Sequence, residues 1–314
     1  MTRPVLIALG GAHVDRRGKV AGPYIPGASN PGTMREEIGG GAFNALRNAV
    51  QRGVAGSMVS LRGGDAAGES VAQAIEAAGI NDLSATFLDR VTPSYTALVD
   101  RDGEVIAGLA DMALYDFFVR QITRRALRDT IRSADAVLAD ANLPEAALAR
   151  IAPLAADKPF FAIAISPAKA VRLAAVLPAL SVLFMNRREA AALAELQADT
   201  PSAVLARKLG EKGLKSGVIT AGGGAIVAFH SSDIFSLTPP RLAETSDATG
   251  AGDALAGATI AAMMRSLPLQ AALREGAAAA MITIAGQAAV AMLEKGLFRE
   301  VLAGIPECEI AGEI

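Results

Sequence analysis

The sequence predicts a three-layer α/β/α fold: a mostly parallel central sheet with helices on both faces and a small β-flap beside it. Two observations predict it. Short apolar runs alternate with helix-patterned segments along most of the 314 residues, the pattern of parallel strands joined by crossover helices. Two early stretches break that alternation and carry turn chemistry instead. Composition agrees, because 52% hydrophobic residues supply a sizeable core, while 4% aromatics and no Trp leave Ala and Gly to pack helices close to the sheet.

The first strand is Val5–Leu9, an apolar run too short for a signal segment or a membrane span. Gly40–Arg52 is a helix, with Phe43, Leu46, Ala49 and Val50 on one face and Gly53 as its stop. Ser57–Leu61 is a strand and Ala66–Ala78 a helix closed by Gly79. Strands then follow at Ala136–Ala139, Phe160–Ile165, Val182–Met185 and Gly217–Thr220. Helices are expected at Pro144–Leu154, Ala168–Val176, Arg187–Glu195 and Val204–Gly213. The interruptions are Ala12–Ile38, rich in Gly and Pro, and Thr86–Asp111, which reads strand, Asp102-Gly103 turn, strand. They are expected to pair into the flap, as lid segments spanning about 12–38 and 86–112 within a single domain, 1–314.

Lys and Arg total 30 against 32 Asp and Glu, so no electrostatic footprint for nucleic acid or an anionic membrane exists. The single cysteine, Cys308, excludes an intramolecular disulfide and fits a reducing, cytoplasmic setting.

The densest chemical signal is Ser246-Asp247-Ala248-Thr249-Gly250-Ala251-Gly252-Asp253. It reads as a glycine-rich turn opening a helix, whose unpaired first amides and dipole form an anion site. Asp253 falls in the first turn, where the dipole favours a carboxylate; an ordinary helix-start residue is the bland alternative. An anion cradle beside a carboxylate is what phosphoryl transfer requires. No Gly-Lys-Ser/Thr follows, so this is not a P-loop, and Gly10-Gly11-Ala12 lacks the pattern of a dinucleotide-binding turn.

Four further segments carry polar groups. Gly39-Gly40-Gly41 precedes a helix on which Asn44 and Asn48 share a face, able to address one polar ligand or simply solvent. His13 and Asp15 follow the first strand, and a carboxylate there can accept bonds from a diol. With only His230 besides it and no Cys/His cluster, His13 is not a metal ligand. Asn186 and Glu189 follow another strand and also suit a helix start. Thr220 and Gly222 lie in a glycine-rich turn between two strand-like runs.

Together, and in this order along nearly the whole chain, these segments resemble the ribokinase-like, phosphofructokinase-B-type carbohydrate kinases. Asp247 to Asp253 resembles their Asp-Thr-Thr-Gly-Ala-Gly-Asp signature, departing at Ala248. The resemblance implies that Asp253 is the catalytic base and that Gly250, Ala251 and Gly252 form the anion hole. It implies sugar contacts for Asp15, Gly39, Gly40 and Asn44, with His13 standing where the family has Asn. It further implies ATP contacts for Thr220 and Gly222, and for Asn186 and Glu189 a reach through water to Mg²⁺ on the phosphates. Ala225 replaces the usual third Gly of the Thr220 turn. The stretch from Gly276 to Ala280 corresponds loosely to the adenine-side helix. A monovalent cation, K⁺, near Asp247 and a homodimer through the lid belong to the same resemblance.

Ser29-Asn30-Pro31-Gly32, Thr92-Pro93-Ser94-Tyr95, Asp111-Met112 and Ala139-Asp140-Ala141-Asn142-Leu143 resemble the nucleoside-acting branch that phosphorylates pseudouridine, with Asn142 placed to touch the sugar. His13 and Phe43 depart from that branch. The expected activity is ATP-dependent phosphorylation of a hydroxymethyl group on a sugar or nucleoside. A kinase of ribose, fructose or a sugar acid, and a non-catalytic sugar or nucleotide sensor, are the alternatives.

Overall fold

The computed structural model describes residues 3–101, 105–242, 249–286 and 288–313. Its main sheet has ten strands, running in space Glu309–Glu313, Asp233–Leu237, Ile226–His230, Ser216–Thr220, Val182–Asn186, Phe160–Ile163, Ala136–Asp140, Val5–Leu9, Ala55–Val59 and Asn81–Asp82. From Ser216–Thr220 through Asn81–Asp82 neighbouring strands are parallel, and the three strands beyond Ser216–Thr220 pair antiparallel.

The central strands are apolar throughout because both faces are covered. In Val5–Leu9 the alternation sends Leu6 and Ala8 into one core and Ile7 and Leu9 into the other. The helices Gly41–Gln51, Ala251–Met264 and Leu269–Ala285 close the first face; Glu145–Ile151, Arg187–Ala194 and Ser202–Glu211 close the second. This is the three-layer arrangement expected from the sequence. Val5–Leu9 lies between Ala55–Val59, which follows it in the chain, and Ala136–Asp140, which comes much later. The winding direction reverses there, and in open α/β sheets the crevice at such a point, at the strand carboxyl ends, is where ligands bind.

The two interruptions do pair. His13–Val20 runs antiparallel to Gly32–Gly39 and parallel to Ser94–Val99, which pairs with Val105–Asp111. The turn residues Asp102 and Gly103 lie outside the described residues. Four elements differ from expectation. The run expected as one strand, Ser57–Leu61, is divided between Ala55–Val59 and Leu61–Gly63. The helix expected at Pro144–Leu154 is α-helical over Glu145–Ile151 and continues as 3₁₀ structure over Ala152–Ala155. The strand expected to reach Ile165 ends at Ile163, and Ile165 has a φ of 71°, a strained setting for a β-branched residue. The helix expected at Ala168–Val176 is one α-turn, Pro167–Ala170, followed by 3₁₀ structure over Val171–Ala179. Pro178 within that segment has no N–H to continue an α-helix.

Candidate active site

Most of the expected site residues lie near the carboxyl edge of adjacent central strands, in two groups. The first group surrounds the turn Gly39-Gly40-Gly41. A Cβ on Gly39 would sit 2.1 Å from Asp15 Oδ2, and one on Gly41 would sit 3.6 Å from Asp253 Oδ1 and 3.7 Å from Asp140 Oδ2. Three carboxylates therefore converge on this turn. Gly40, at φ 111°, lets the helix start close to the Gly11 carbonyl; a Cβ there would stand 2.3 Å from that oxygen.

Asp253 lies in the first turn of Ala251–Met264, behind Gly250, whose φ of 80° makes the turn. No side chain caps this helix start among the described residues, and Gly252 faces open space with nothing within 4 Å of a built Cβ. Its leading amides are thus available to an anion. Asp247 and Ala248 lie outside the described residues, and with them the expected cation position.

Asn44 Nδ2 donates to Asp253 Oδ2 at 2.9 Å. Two short side chains meet because the helix backbones approach closely. A Cβ on Gly257, one turn beyond Asp253, would lie 2.1 Å from the Ala45 carbonyl oxygen. Burial pushes the Asp253 carboxyl up to about 7; the charges of Asp140 and Asp15 add to the rise, while the Asn44 bond and the Arg47 charge oppose it. The sequence reading weighed only the helix dipole, and desolvation outweighs it here.

Asp15 is on the first flap strand, where it pairs with Glu37 and Tyr95. His13 stands behind it, with Nε2 at 3.2 Å from Asp15 Oδ1 and Nδ1 at 3.1 Å from the Tyr115 hydroxyl. A carboxylate only accepts, so Nε2 donates to Asp15. Tyr115 also accepts from the Ala12 amide at 3.1 Å. Burial pushes its phenol well above the ordinary range. His13 thus orients Asp15 from a buried position.

Asp140, in the segment Ala139–Leu143, is a site residue that no sequence motif singled out. Fully buried, it accepts from the Gly11 amide at 2.9 Å, the Ala42 amide at 3.0 Å, the Asn142 amide at 2.9 Å and Asn142 Nδ2 at 3.1 Å. It staples both glycine turns to the strand end that carries Asn142. Lys169 Nζ then donates to Asn142 Oδ1 at 2.6 Å. Burial lowers the pKa of Lys169, against an opposing pull from Asp140. No local signal marks Asp140, because its contacts with Gly11 and Ala42 span 129 and 98 positions.

The second group lies two to three strands away. Asn186 and Thr220 are register partners at the ends of Val182–Asn186 and Ser216–Thr220. With Arg187, Arg188, Ala221 and Gly222 they line a pocket of about 230 Å³. Asn186 and Glu189 form a capping box: Glu189 N donates to Asn186 Oδ1 at 2.9 Å, and Asn186 N donates to Glu189 Oε2 at 2.7 Å. Burial raises the pKa of Glu189, partly offset by its bonds with Asn186. Gly276 is not part of this pocket. It is buried on Leu269–Ala285, where a Cβ would come 2.1 Å from Thr259 Oγ1 on the neighbouring helix, so it serves helix packing.

The described residues hold no cluster of three or more His, Cys, Asp or Glu side chains able to bind a metal ion directly, and no helix long and apolar enough to cross a membrane.

Known proteins match this architecture along the chain. A carbohydrate kinase from Agrobacterium tumefaciens is 44% identical and superposes with a TM-score of 0.85 over 98% of this chain and 99% of that one. Arabidopsis thaliana ribokinase, solved with ribose and ATP, superposes with a TM-score of 0.84 at 19% identity over 96% of this chain and 99% of its own, a likeness of fold. Pseudouridine kinase from Escherichia coli K12 is 26% identical over 272 residues, 86% of this chain and 87% of that protein. The model of the pfkB family carbohydrate kinases matches residues 6–295. With that match across the sheet, the flap and both groups of site residues, the chain belongs to the pfkB family of carbohydrate kinases.

Proposed function

We propose that the chain transfers the γ-phosphoryl group of ATP to a hydroxymethyl group of a sugar or nucleoside, with pseudouridine as the first substrate to test. The observation that carries the reading is Asp253, its carboxyl pushed up to about 7 mainly by burial, standing in the first turn of a helix whose start no side chain caps. A base poised near neutral pH beside an anion cradle is the minimum that phosphoryl transfer from ATP needs.

In the reaction Asp253 accepts the hydroxyl proton as the hydroxyl oxygen bonds to the γ-phosphorus. The bond from that phosphorus to the bridging oxygen breaks, and ADP leaves. The amides of Gly250, Ala251 and Gly252 receive the charge on the transferring group. Asp15, oriented by His13, and Asn44 hold the sugar hydroxyls, with Asn142 beside them. Thr220, Gly222 and Asn186 hold the nucleotide in the pocket they line. Mg²⁺ carried on the phosphates would offset their charge, and Asn186 and Glu189 are the residues that would hold it at this end of the site. The flap, rooted at Asp15, closes over the sugar and excludes water.

Support for pseudouridine comes from the Escherichia coli relative and from the nucleoside-type segments of the sequence. The test is phosphorylation of a panel of pseudouridine, uridine, ribose, fructose and a 2-keto-3-deoxy sugar acid, followed by product NMR. Pseudouridine turned over with the highest kcat/KM, phosphorylated on its 5′ oxygen, supports the reading. A free sugar or sugar acid preferred by tenfold or more, about 1.4 kcal/mol in transition-state binding, would replace the nucleoside.

A further inference from the structure

Arg47 follows Asn44 by one helical turn on Gly41–Gln51, and no motif drew attention to it. Its guanidinium does not extend into solvent. Nη2 donates to the Ile38 carbonyl at 3.0 Å and to Asn44 Oδ1, and the group lies 4.4 Å over the Phe43 ring. Its Nε is buried with no hydrogen-bond partner. Leaving a buried donor unpaired is unfavourable, so the placement serves something other than stability.

The chemistry of the three side chains fixes their order. Arginine only donates, a carboxylate only accepts, and an Asn amide does one with each end. With Arg47 on Oδ1, the Nδ2 end must face Asp253, as observed at 2.9 Å. If the amide turned over, Oδ1 would meet the carboxylate oxygen. Ile38 belongs to the flap strand Gly32–Gly39, so the same guanidinium touches the root of the flap.

We propose that Arg47 is a positioning residue that locks the Asn44 amide toward Asp253 and ties that setting to the flap strand through the Ile38 carbonyl. The inference rests on Asp253 being the base. The charged groups acting on the Asp253 carboxyl are Asp140 and Asp15, which disfavour its ionisation, and Arg47, which favours it. Removing Arg47 therefore moves the Asp253 titration upward in pH, both directly and by freeing the amide to turn. A residue that merely packed against Phe43 would leave that titration where it is.

The experiment uses full-length protein carrying ¹³C-carboxyl aspartate, without substrate, with the Asp253 resonance assigned by its absence in Asp253→Asn. Arg47→Met is expected to raise the Asp253 midpoint by about one pH unit. Arg47→Lys, which keeps the charge without the fork, recovers most of that shift. Should Arg47→Met fail to fold, Arg47→Gln replaces it; being neutral but still able to donate to Asn44, it is expected to give a smaller shift in the same upward direction. A folded neutral variant with an unmoved midpoint overturns the proposal, whatever its melting temperature. Turnover of Asp253→Asn is read separately: if that variant stays active, the base assignment falls while a titration shift still stands. If it is inactive and the Arg47 variants leave the midpoint unmoved, only the Arg47 inference falls.

Discussion

At the end of the site that holds Asp15, Asn44, Asp140 and Asp253, each polar side chain is already committed to another. Asp140 takes bonds from the amides of Gly11, Ala42 and Asn142, Asn44 bridges Arg47 and Asp253, and His13 backs Asp15. The end that holds Thr220 and Gly222 is built differently. Backbone turns surround a pocket of about 230 Å³, a Cβ on Gly222 would meet nothing within 4 Å, and the Asn186–Glu189 bonds serve the start of their own helix. The proposed acceptor end is preorganised, as a site that orients one hydroxyl against one base must be. The proposed nucleotide end is lined by Arg187 and Arg188 beside a glycine-rich turn, which suits a negatively charged ligand. Substitutions at the acceptor end should therefore change kcat and stability together, and those at the nucleotide end should change them separately.

The largest effect expected is from Asp253→Asn. Its kcat should fall by about 10²–10⁴ with KM for both substrates little changed, because the amide keeps shape and cannot take the proton. The pH dependence follows from the direction of the Asp253 shift. A carboxyl raised to about 7 is protonated below that pH, so kcat/KM should climb as pH rises through about 7 and level above it. Stability runs the other way. Between the ordinary carboxylate range and about 7 the folded state binds more protons than the unfolded chain, so this group's contribution to stability declines as pH rises through that window. Asp253→Asn should accordingly melt above the parent protein at pH 8, with the gap closing below pH 4. A variant that melts lower at pH 8 would contradict the raised carboxyl, and one that keeps more than about a tenth of kcat would contradict the base assignment.

Next comes Asp140→Ala, which sharpens the comparison by striking the staple rather than the chemistry. It leaves the Gly11, Ala42 and Asn142 amides without their buried acceptor, a loss of about 3 kcal/mol or more in chemical denaturation. An unchanged midpoint would mean that the acceptor end does not depend on this carboxylate. Asp15→Ala is milder for the fold, since Asp15 is partly exposed. It should raise KM for the sugar about tenfold or more and leave KM for ATP in place, each bond to a charged group being worth about 1.5–3 kcal/mol. Equal changes in both would remove Asp15 from the acceptor end.

How far the sequence made this legible follows the same division. The sheet was readable because both its faces are buried, and a run such as Val5–Leu9 has few other stable uses. The glycine turns were readable because positive φ at Gly40 and Gly250 restricts the choice of residue. Asp140 and Arg47 were not. A buried acidic residue and an exposed one look alike in sequence, and Arg47 fits the polar side of an amphipathic helix as readily as a lock on Asn44. The contact between Asn44 and Asp253 spans 209 positions and depends on Gly257 letting two helices close in, which no local pattern encodes. Gly276 shows the opposite ambiguity. Small residues suit both a purine pocket and a helix interface, and here the interface with Thr259 accounts for it. Lys169 went unmarked because the segment it belongs to was expected as an ordinary helix.

The smallest expected effect is also the one that separates two explanations of one pair of residues. Asn186 and Glu189 are bonded to each other as a capping box, and that alone would account for both. Glu189→Gln discriminates. Glutamine can accept the Asn186 amide as glutamate does, so the cap survives. The glutamate is buried with its pKa raised, so its ionised form is disfavoured in the fold, and losing that charge should not lower stability at pH 8. Melting should stay at or slightly above that of the parent protein. If Glu189 also reaches the metal on the phosphates, the lost charge should raise KM for Mg·ATP several-fold and leave KM for the sugar alone. Asn186→Ala is the counterpart, costing about 1 kcal/mol of stability through the lost cap. Glu189→Gln with parental KM for Mg·ATP would reduce the pair to a helix start, leaving the nucleotide end to Thr220 and Gly222.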